Sequence, residues 1–112
     1  MSHSLGKEGE DIGAKYLRTN GFKIVERNYR TPFGEIDIIA RKGKKFYFIE
    51  VKTRTTIEYG RGVEAVDKRK INHIVNAINF YLGRKNVDYE IGVLDILKVG
   101  DKFEINYIRD IF

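Results

Sequence analysis

The sequence predicts one α/β (α+β) domain in the order αβββαβ, with a further β-strand at its C-terminal end. Three observations carry that prediction. "EIDIIAR" (residues 35–41) and "KFYFIEVKTR" (residues 45–54) are apolar β-type runs joined by a glycine turn. Ile71, Ile74, Val75, Ile78 and Leu82 then repeat at helical spacing. "DYEIGVLDILKV" (residues 88–99) returns to strand character. A length of 112 residues suits a single compact domain, 1–112, able to bury one core.

Each element has a local reason. Residues 5–20 carry Leu5, Ile12, Tyr16 and Leu17 as a partial helical stripe, and Gly21 is a plausible stop. Gly6, Gly9 and Gly13 lie in or near that helix. An interior glycine costs roughly 1 kcal/mol relative to alanine, so they suit a helix that another backbone approaches closely, or one that starts later. "FKIVERNYR" is a strand, and Thr31-Pro32-Phe33-Gly34 is a turn. In the next strand Ile36, Ile38 and Ala40 are expected on one face. Lys42-Gly43-Lys44 supplies a hairpin turn. The third strand is apolar on both faces and is expected to be central. A polar loop follows, then a helix over 63–82. The stretch from strand three to strand four is long enough for a parallel crossover. Gly100-Asp101 makes a last hairpin, into a strand over 102–112.

Composition excludes some function classes. The chain has no cysteine, so disulfides and thiolate zinc sites are ruled out. No apolar run reaches membrane-spanning length. "MSHSLGKEGED" has no apolar h-region, so the expected compartment is the cytoplasm, with no membrane partner. Lys and Arg number 21 against 16 Asp and Glu, a formal charge of +5 that favours polyanions such as nucleic acid.

The chemistry concentrates in the central strands. Period-two alternation puts Glu50 and Lys52 on one face, with Phe46 and Phe48 behind them. The Gly43 turn pairs residues whose numbers sum to 86 or 87, which sets Asp37 opposite position 49 or 50. Two carboxylates that close repel unless a cation lies between them. An oxygen-only donor set suits Mg²⁺ or Mn²⁺, and a neighbouring lysine could activate water or stabilise charge on a phosphate. The plain alternative is a structural ion-pair cluster of Asp37, Glu50 and Lys52. The residues alone leave both open.

"GEIDIIA…FIEVKTR" resembles the core of the PD-(D/E)XK nuclease superfamily, with Asp37 as first acid and Glu50-Val51-Lys52 as the (D/E)XK element. With "GKEGEDIGAKYLRTNGFKIVERNYR" and "EAVDKRKINHIVNAINFYL", most of the chain from Gly6 to Leu82 is similar to the YraN-like family of predicted endonucleases, itself distantly similar to Holliday junction resolvases. The (D/E)XK element is weakly specific alone, and the ordered combination is strong. The resemblance implies a restriction-endonuclease-like core and a metal-dependent phosphodiesterase site. It also implies roles for Glu10 as a helix acid assisting Asp37 and Glu50 at the metal, and for Lys70. Without it, Glu10 reads as part of an acidic first turn and Lys70 as a solvated helix residue. Asp95 fits the last core strand, but Val93 stands where the family commonly has arginine.

Arg27, Asn28, Arg30, Lys42, Lys44 and Lys45 cluster near turns and beside Tyr29, where they could grip a phosphate backbone or simply keep hairpins soluble. Arg54 and Arg61 flank a glycine-containing loop after the site. The expected nucleic-acid contacts are therefore Arg30, Lys44, Arg54, Arg61 and Lys70. His3 and His73 read as surface residues. Three functions compete: a Mg²⁺- or Mn²⁺-dependent DNA endonuclease, branched or structured DNA included; a non-catalytic nucleic-acid-binding module on the same fold; and an interaction protein using a sheet edge or the last hairpin. A homodimer is compatible with each.

Overall fold

The computed structural model describes residues 4–55 and 68–111. Helix α1 (Leu5–Thr19) precedes strands β1 (Lys23–Thr31), β2 (Gly34–Lys42) and β3 (Lys45–Arg54). Helix α2 (Lys68–Leu82), β4 (Tyr89–Val99) and β5 (Lys102–Ile108) follow. The sheet order is β1-β2-β3-β4-β5, so β3 is central as its two apolar faces require. All neighbours are antiparallel except β3 and β4, which run parallel across the α2 connection. This mixed five-stranded α+β sheet with two helices is consistent with a restriction-endonuclease-like core. No helix among the described residues is long and apolar enough to cross a membrane.

The helix ends follow from sequence. The Ser4 hydroxyl oxygen accepts from the Lys7 N–H at 3.2 Å and caps α1. Gly21, at φ +88°, closes it: the Gly21 N–H donates to the Arg18 carbonyl and the Phe22 N–H to the Leu17 carbonyl. Interior Gly9 and Gly13 make room for side chains of the sheet, not for another backbone. A Cβ on Gly9 would collide with the Thr53 side chain, and one on Gly13 would lie 3.0 Å from Leu94. Helix α1 therefore lies directly on β3 and β4. The five residues 63–67 of the expected second helix lie outside the described residues.

The sheet separates two cores. On the α1 side Ala14, Leu17, Ile38, Ala40, Tyr47, Ile49, Leu94 and Ile96 pack together. On the α2 side the core is Ile36, Ile39, Phe48, Ile74, Ala77, Ile78, Leu82 and Ile91. Truncating a fully buried residue such as Ile38 or Phe48 is expected to cost about 3–5 kcal/mol.

One expectation fails in an instructive place. Ile36 does not share a face with Ile38 and Ala40; it packs on the α2 side. The cause lies on β1. Asn28 takes a left-handed backbone conformation at φ +54°. Arg27 consequently reaches α1, whereas Tyr29 packs with the α2 core, although two residues apart they would share a face in a regular strand. Their β2 partners, Ile38 and Ile36, divide in the same way. Asp37 sits between them, where the alternation breaks.

Candidate active site

The β2–β3 hairpin fixes the site. Its register pairs Ile38 with Ile49, a sum of 87, so the next position outward sets Asp37 against Glu50. The regular ladder ends there, and the Asp37 side chain takes over. Its Oδ2 accepts from the Val51 N–H at 2.8 Å, which aims the carboxylate along the β3 edge. Glu50 lies close enough to Asp37 for the two carboxyl groups to share a proton and repel when both are charged. Phe46 and Phe48 stack behind, on the same face of β3, so Glu50 ends an apolar row and its side chain is only 13% exposed.

Electrostatics follow from that placement. Burial, then the hydrogen bond and charge of Asp37, push the Glu50 carboxyl up to about 8. Two lysines offset this in part. Lys70, in the first turn described for α2, brings its Nζ to 3.9 Å from Glu50 Oε1. Lys52 lies on the same face of β3 two residues beyond Glu50. The adjacent Lys70 group, then burial, hold the Lys52 ammonium below the usual lysine range. Two acids and two cations thus converge on one patch. Beside it opens a cleft of about 160 Å³, whose walls include Phe33, Glu35, Glu50, Lys70, His73 and Ile74. A larger cleft of about 480 Å³ near the start of α1 is lined by Glu8 and Lys98, already paired to each other at 3.1 Å. Chemistry, not volume, singles out the smaller one.

The other expected residues separate. Glu10 does not join the pair. Its carboxylate faces Arg27 at 3.4 Å, and Arg27 also donates to Asp11 at 2.7 Å. Among the described residues no group of three or more His, Cys, Asp or Glu is placed to hold a metal ion. Arg27 is therefore a brace between α1 and β1, not an outward phosphate contact. Arg54 donates to Asp95 at 2.9 Å, and Asp95 is 3% exposed. Arg54 stands two positions beyond Lys52 on β3, and Asp95 stands directly beside Lys52 in the parallel register. Arg30 is bonded to Glu35 at 3.2 Å, on the rim of the site. Lys42 donates to the Asn20 carbonyl at 3.0 Å, and Lys45 pairs with Glu90 at 3.0 Å. Lys44 lies in the β2–β3 turn, at the opposite end of the hairpin from Asp37. Arg61 lies outside the described residues.

Sequence reasoning missed the cleft positions of Phe33 and His73 and the left-handed backbone of Asn28. Phe33 had a signal in retrospect, as a large apolar residue in a Pro-containing turn four residues before Asp37. His73 stands three residues after Lys70 and so shares its helix face. Nothing local announced the backbone of Asn28.

Comparison with known proteins places the chain in a family. The chain is 42% identical over its whole length to a UPF0102 protein of Alkaliphilus metalliredigens, itself fully covered. It is 44% identical to one of Fusobacterium nucleatum over 98% of this chain and 92% of that one. It is 43% identical to one of Syntrophotalea carbinolica over 97% and 91% respectively. Residues 9–105 match the family model, a span that includes Glu10, Asp37, Glu50, Lys52, Lys70 and Asp95, and the chain belongs to the Uncharacterised protein family UPF0102.

Proposed function

We propose that this chain is a divalent-metal-dependent endonuclease that hydrolyses phosphodiester bonds in DNA, with branched or structured DNA among its substrates. One observation carries the reading. The β2–β3 register sets the Asp37 and Glu50 carboxyl groups side by side, with Lys52 and Lys70 on the same patch. The resemblance of "GEIDIIA…FIEVKTR" to the PD-(D/E)XK nucleases agrees with it.

The residues fit Mg²⁺ or Mn²⁺. The donor set is all oxygen, and the two acids meet in a place where burial makes their like charges costly. Asp37 and Glu50 would hold the ion. When bound, it would neutralise charge on the phosphate and acidify a water molecule. The protein supplies the rest. The Val51 N–H orients Asp37, so its carboxylate enters the site with one oxygen already engaged. The apolar row of Phe46 and Phe48 keeps water from the back of Glu50. Lys52, held below the ordinary lysine range, can orient the attacking water by hydrogen bonding. Lys70 offers positive charge to the phosphate where negative charge builds up. Glu10 would have to leave Arg27 to assist.

The second reading is the non-catalytic nucleic-acid-binding module. The proximity of Lys70 to Glu50 favours it, since that lysine already offsets one acid. One set of measurements separates the two. Mg²⁺ and Mn²⁺ are titrated into wild type, Asp37→Asn, Glu50→Gln and Lys52→Ala proteins, following thermal stability and cleavage of linear, single-stranded, flapped and four-way DNA. Metal-dependent stabilisation and cutting are expected for wild type and lost in both acid variants. Undiminished cutting by Glu50→Gln protein would sink the nuclease reading. Salt-sensitive DNA binding without turnover or metal binding would establish the second one.

A further inference from the structure

We infer that Phe33, supported by Phe80, is a stacking platform for an unpaired nucleobase beside the scissile phosphate; this rests on the nuclease reading above. Phe33 occupies the two-residue turn between β1 and β2 and is 46% exposed. Phe80 on α2 is 50% exposed, and the two rings meet edge-on with centroids 6.3 Å apart. Most other aromatic rings of the chain are at least partly buried in one of the two cores. These two instead face outward together.

The support is rigid. Pro32 fixes its own backbone φ. The Phe33 N–H donates to Thr31 Oγ1 at 3.0 Å, and that hydroxyl donates to the Gly34 carbonyl at 2.8 Å. Both sides of the turn are therefore clamped by one threonine. Phe80 holds the ring from the α2 side. A platform with so little freedom loses little entropy on stacking.

Position gives the occupant. Phe33 walls the same cleft as Glu50, Lys70 and His73. A base lying on the ring would leave its own phosphate close to the acid pair, with the exposed Arg69 near the backbone and Lys70 beside Glu50 at 3.9 Å. Bases inside a continuous duplex have both faces covered by their neighbours. Only a base at a flap, junction, gap or single strand offers a free face to an aromatic side chain. Two phenyl rings are also far short of the roughly 800 Å² per partner that a stable protein interface buries. The platform thus narrows the substrate class to DNA with an unpaired base next to the cut.

The test is equilibrium binding by the full-length protein in EDTA, where no cutting occurs. The probes are a single-stranded oligonucleotide carrying 2-aminopurine and the same sequence as a continuous duplex. Phe33→Ala is expected to bind the single strand roughly five- to tenfold more weakly, with duplex affinity changed by less than about twofold, since phosphate contacts dominate there. Phe33→Trp is expected to keep single-strand affinity and the quenching of 2-aminopurine, which also controls for loss of fold. Equal losses on both probes, or none on either, would overturn the platform. So would a changed sedimentation coefficient of Phe33→Ala with unchanged selectivity, which would make the rings a contact between copies. Cleavage in Mg²⁺ keeps the two claims apart. Wild type that selects unpaired bases through Phe33 yet never cuts retains the platform and defeats the nuclease reading. Wild type that cuts, with Phe33→Ala equally selective, defeats the platform alone.

Discussion

Glu50 and Glu90 are two glutamates on adjacent parallel strands, and their surroundings are opposites. The Glu90 side chain, 5% exposed, accepts from both Nε and Nη2 of Arg109 at 2.9 Å, and Lys45 adds a third contact at 3.0 Å. Arg109, first of all, holds its carboxyl below the usual glutamate range. Glu50 has another acid as its neighbour, and its carboxyl is pushed up to about 8. The chain thus contains a complete solution to a buried glutamate and uses it at only one of the two positions. A forked arginine locks an acid into the architecture. A second acid leaves it in need of a cation, which is what a metal-dependent site requires.

The contrast can be broken most directly by converting each acid to its amide. Glu50→Gln is expected to lower single-turnover cleavage in Mg²⁺ by about 10²-fold or more. Glu90→Gln is expected to change it by less than about threefold, since Glu90 faces the other side of the sheet among Arg109, Tyr47 and Lys45. Comparable losses would show that both acids serve only the fold.

Stability should respond with opposite signs. Arg109→Ala leaves Glu90 buried with Lys45 alone and is expected to cost about 1–2 kcal/mol in urea melts, a figure kept low because the Arg109 side chain is half exposed. Glu50→Gln in metal-free buffer above pH 8 is expected to stabilise on the order of 1–2 kcal/mol, because a buried charge facing Asp37 is removed. A destabilised Glu50→Gln protein would make Glu50 a structural partner.

The pH dependence sharpens the same point. A carboxyl whose folded pKa exceeds its unfolded one binds its proton more tightly in the native chain. Its stabilisation is complete below the ordinary value of 4.5 and is lost as pH rises toward about 8. Metal-free wild type should therefore lose stability relative to Glu50→Gln across that window. Glu90, with a lowered pKa, works in reverse: its stabilisation is present above the ordinary glutamate value and falls away as the solution is acidified through the folded one. Thermal melts from pH 4 to 9 should show both amide variants diverging from wild type as pH rises, in opposite directions: Glu50→Gln gains and Glu90→Gln loses. Parallel curves would remove the electrostatic distinction.

Much of this was legible locally. Turn residues and alternation gave the hairpin, and the hairpin arithmetic put Asp37 opposite position 49 or 50; the last ladder pair, Ile38 with Ile49, extends to 50. The parallel crossover followed from the length of chain between β3 and β4. Interior glycines foretold a close approach at α1, but side chains make it, Thr53 at Gly9 and Leu94 at Gly13, and not another backbone. What stayed hidden depends on residues distant in sequence. The partner of Glu10 is Arg27, 17 positions away, and the partner of Arg54 is Asp95, 41 away. Ile36 lies on the face opposite to the one alternation predicts, because alternation assumes an unbroken strand and Asn28 breaks it from the neighbouring one. Basic residues were the least legible, since a lysine in sequence carries no sign of which end of the hairpin it will occupy.

Lys44 and Lys70 make that last ambiguity measurable, with the smallest expected effects. From Asp37 to the β2–β3 turn the strand advances about 20 Å, so Lys44 is beyond reach of a phosphate held at the acid pair. Lys70 is 3.9 Å from Glu50, and its charge also draws the Glu50 carboxyl downward. Lys70→Ala is therefore expected to slow single-turnover cleavage roughly tenfold and to raise the Glu50 pKa further. Lys44→Ala should leave that rate within about twofold, while weakening DNA binding uniformly across sequences and reducing the salt slope by about 1 if the turn touches a distal phosphate. Equal rate losses for the two variants would mean that Lys70 acts only through the general positive field of the protein. A loss confined to Lys70 that survives at saturating DNA would place it at the reacting phosphate, because a field effect on encounter disappears once every site is filled.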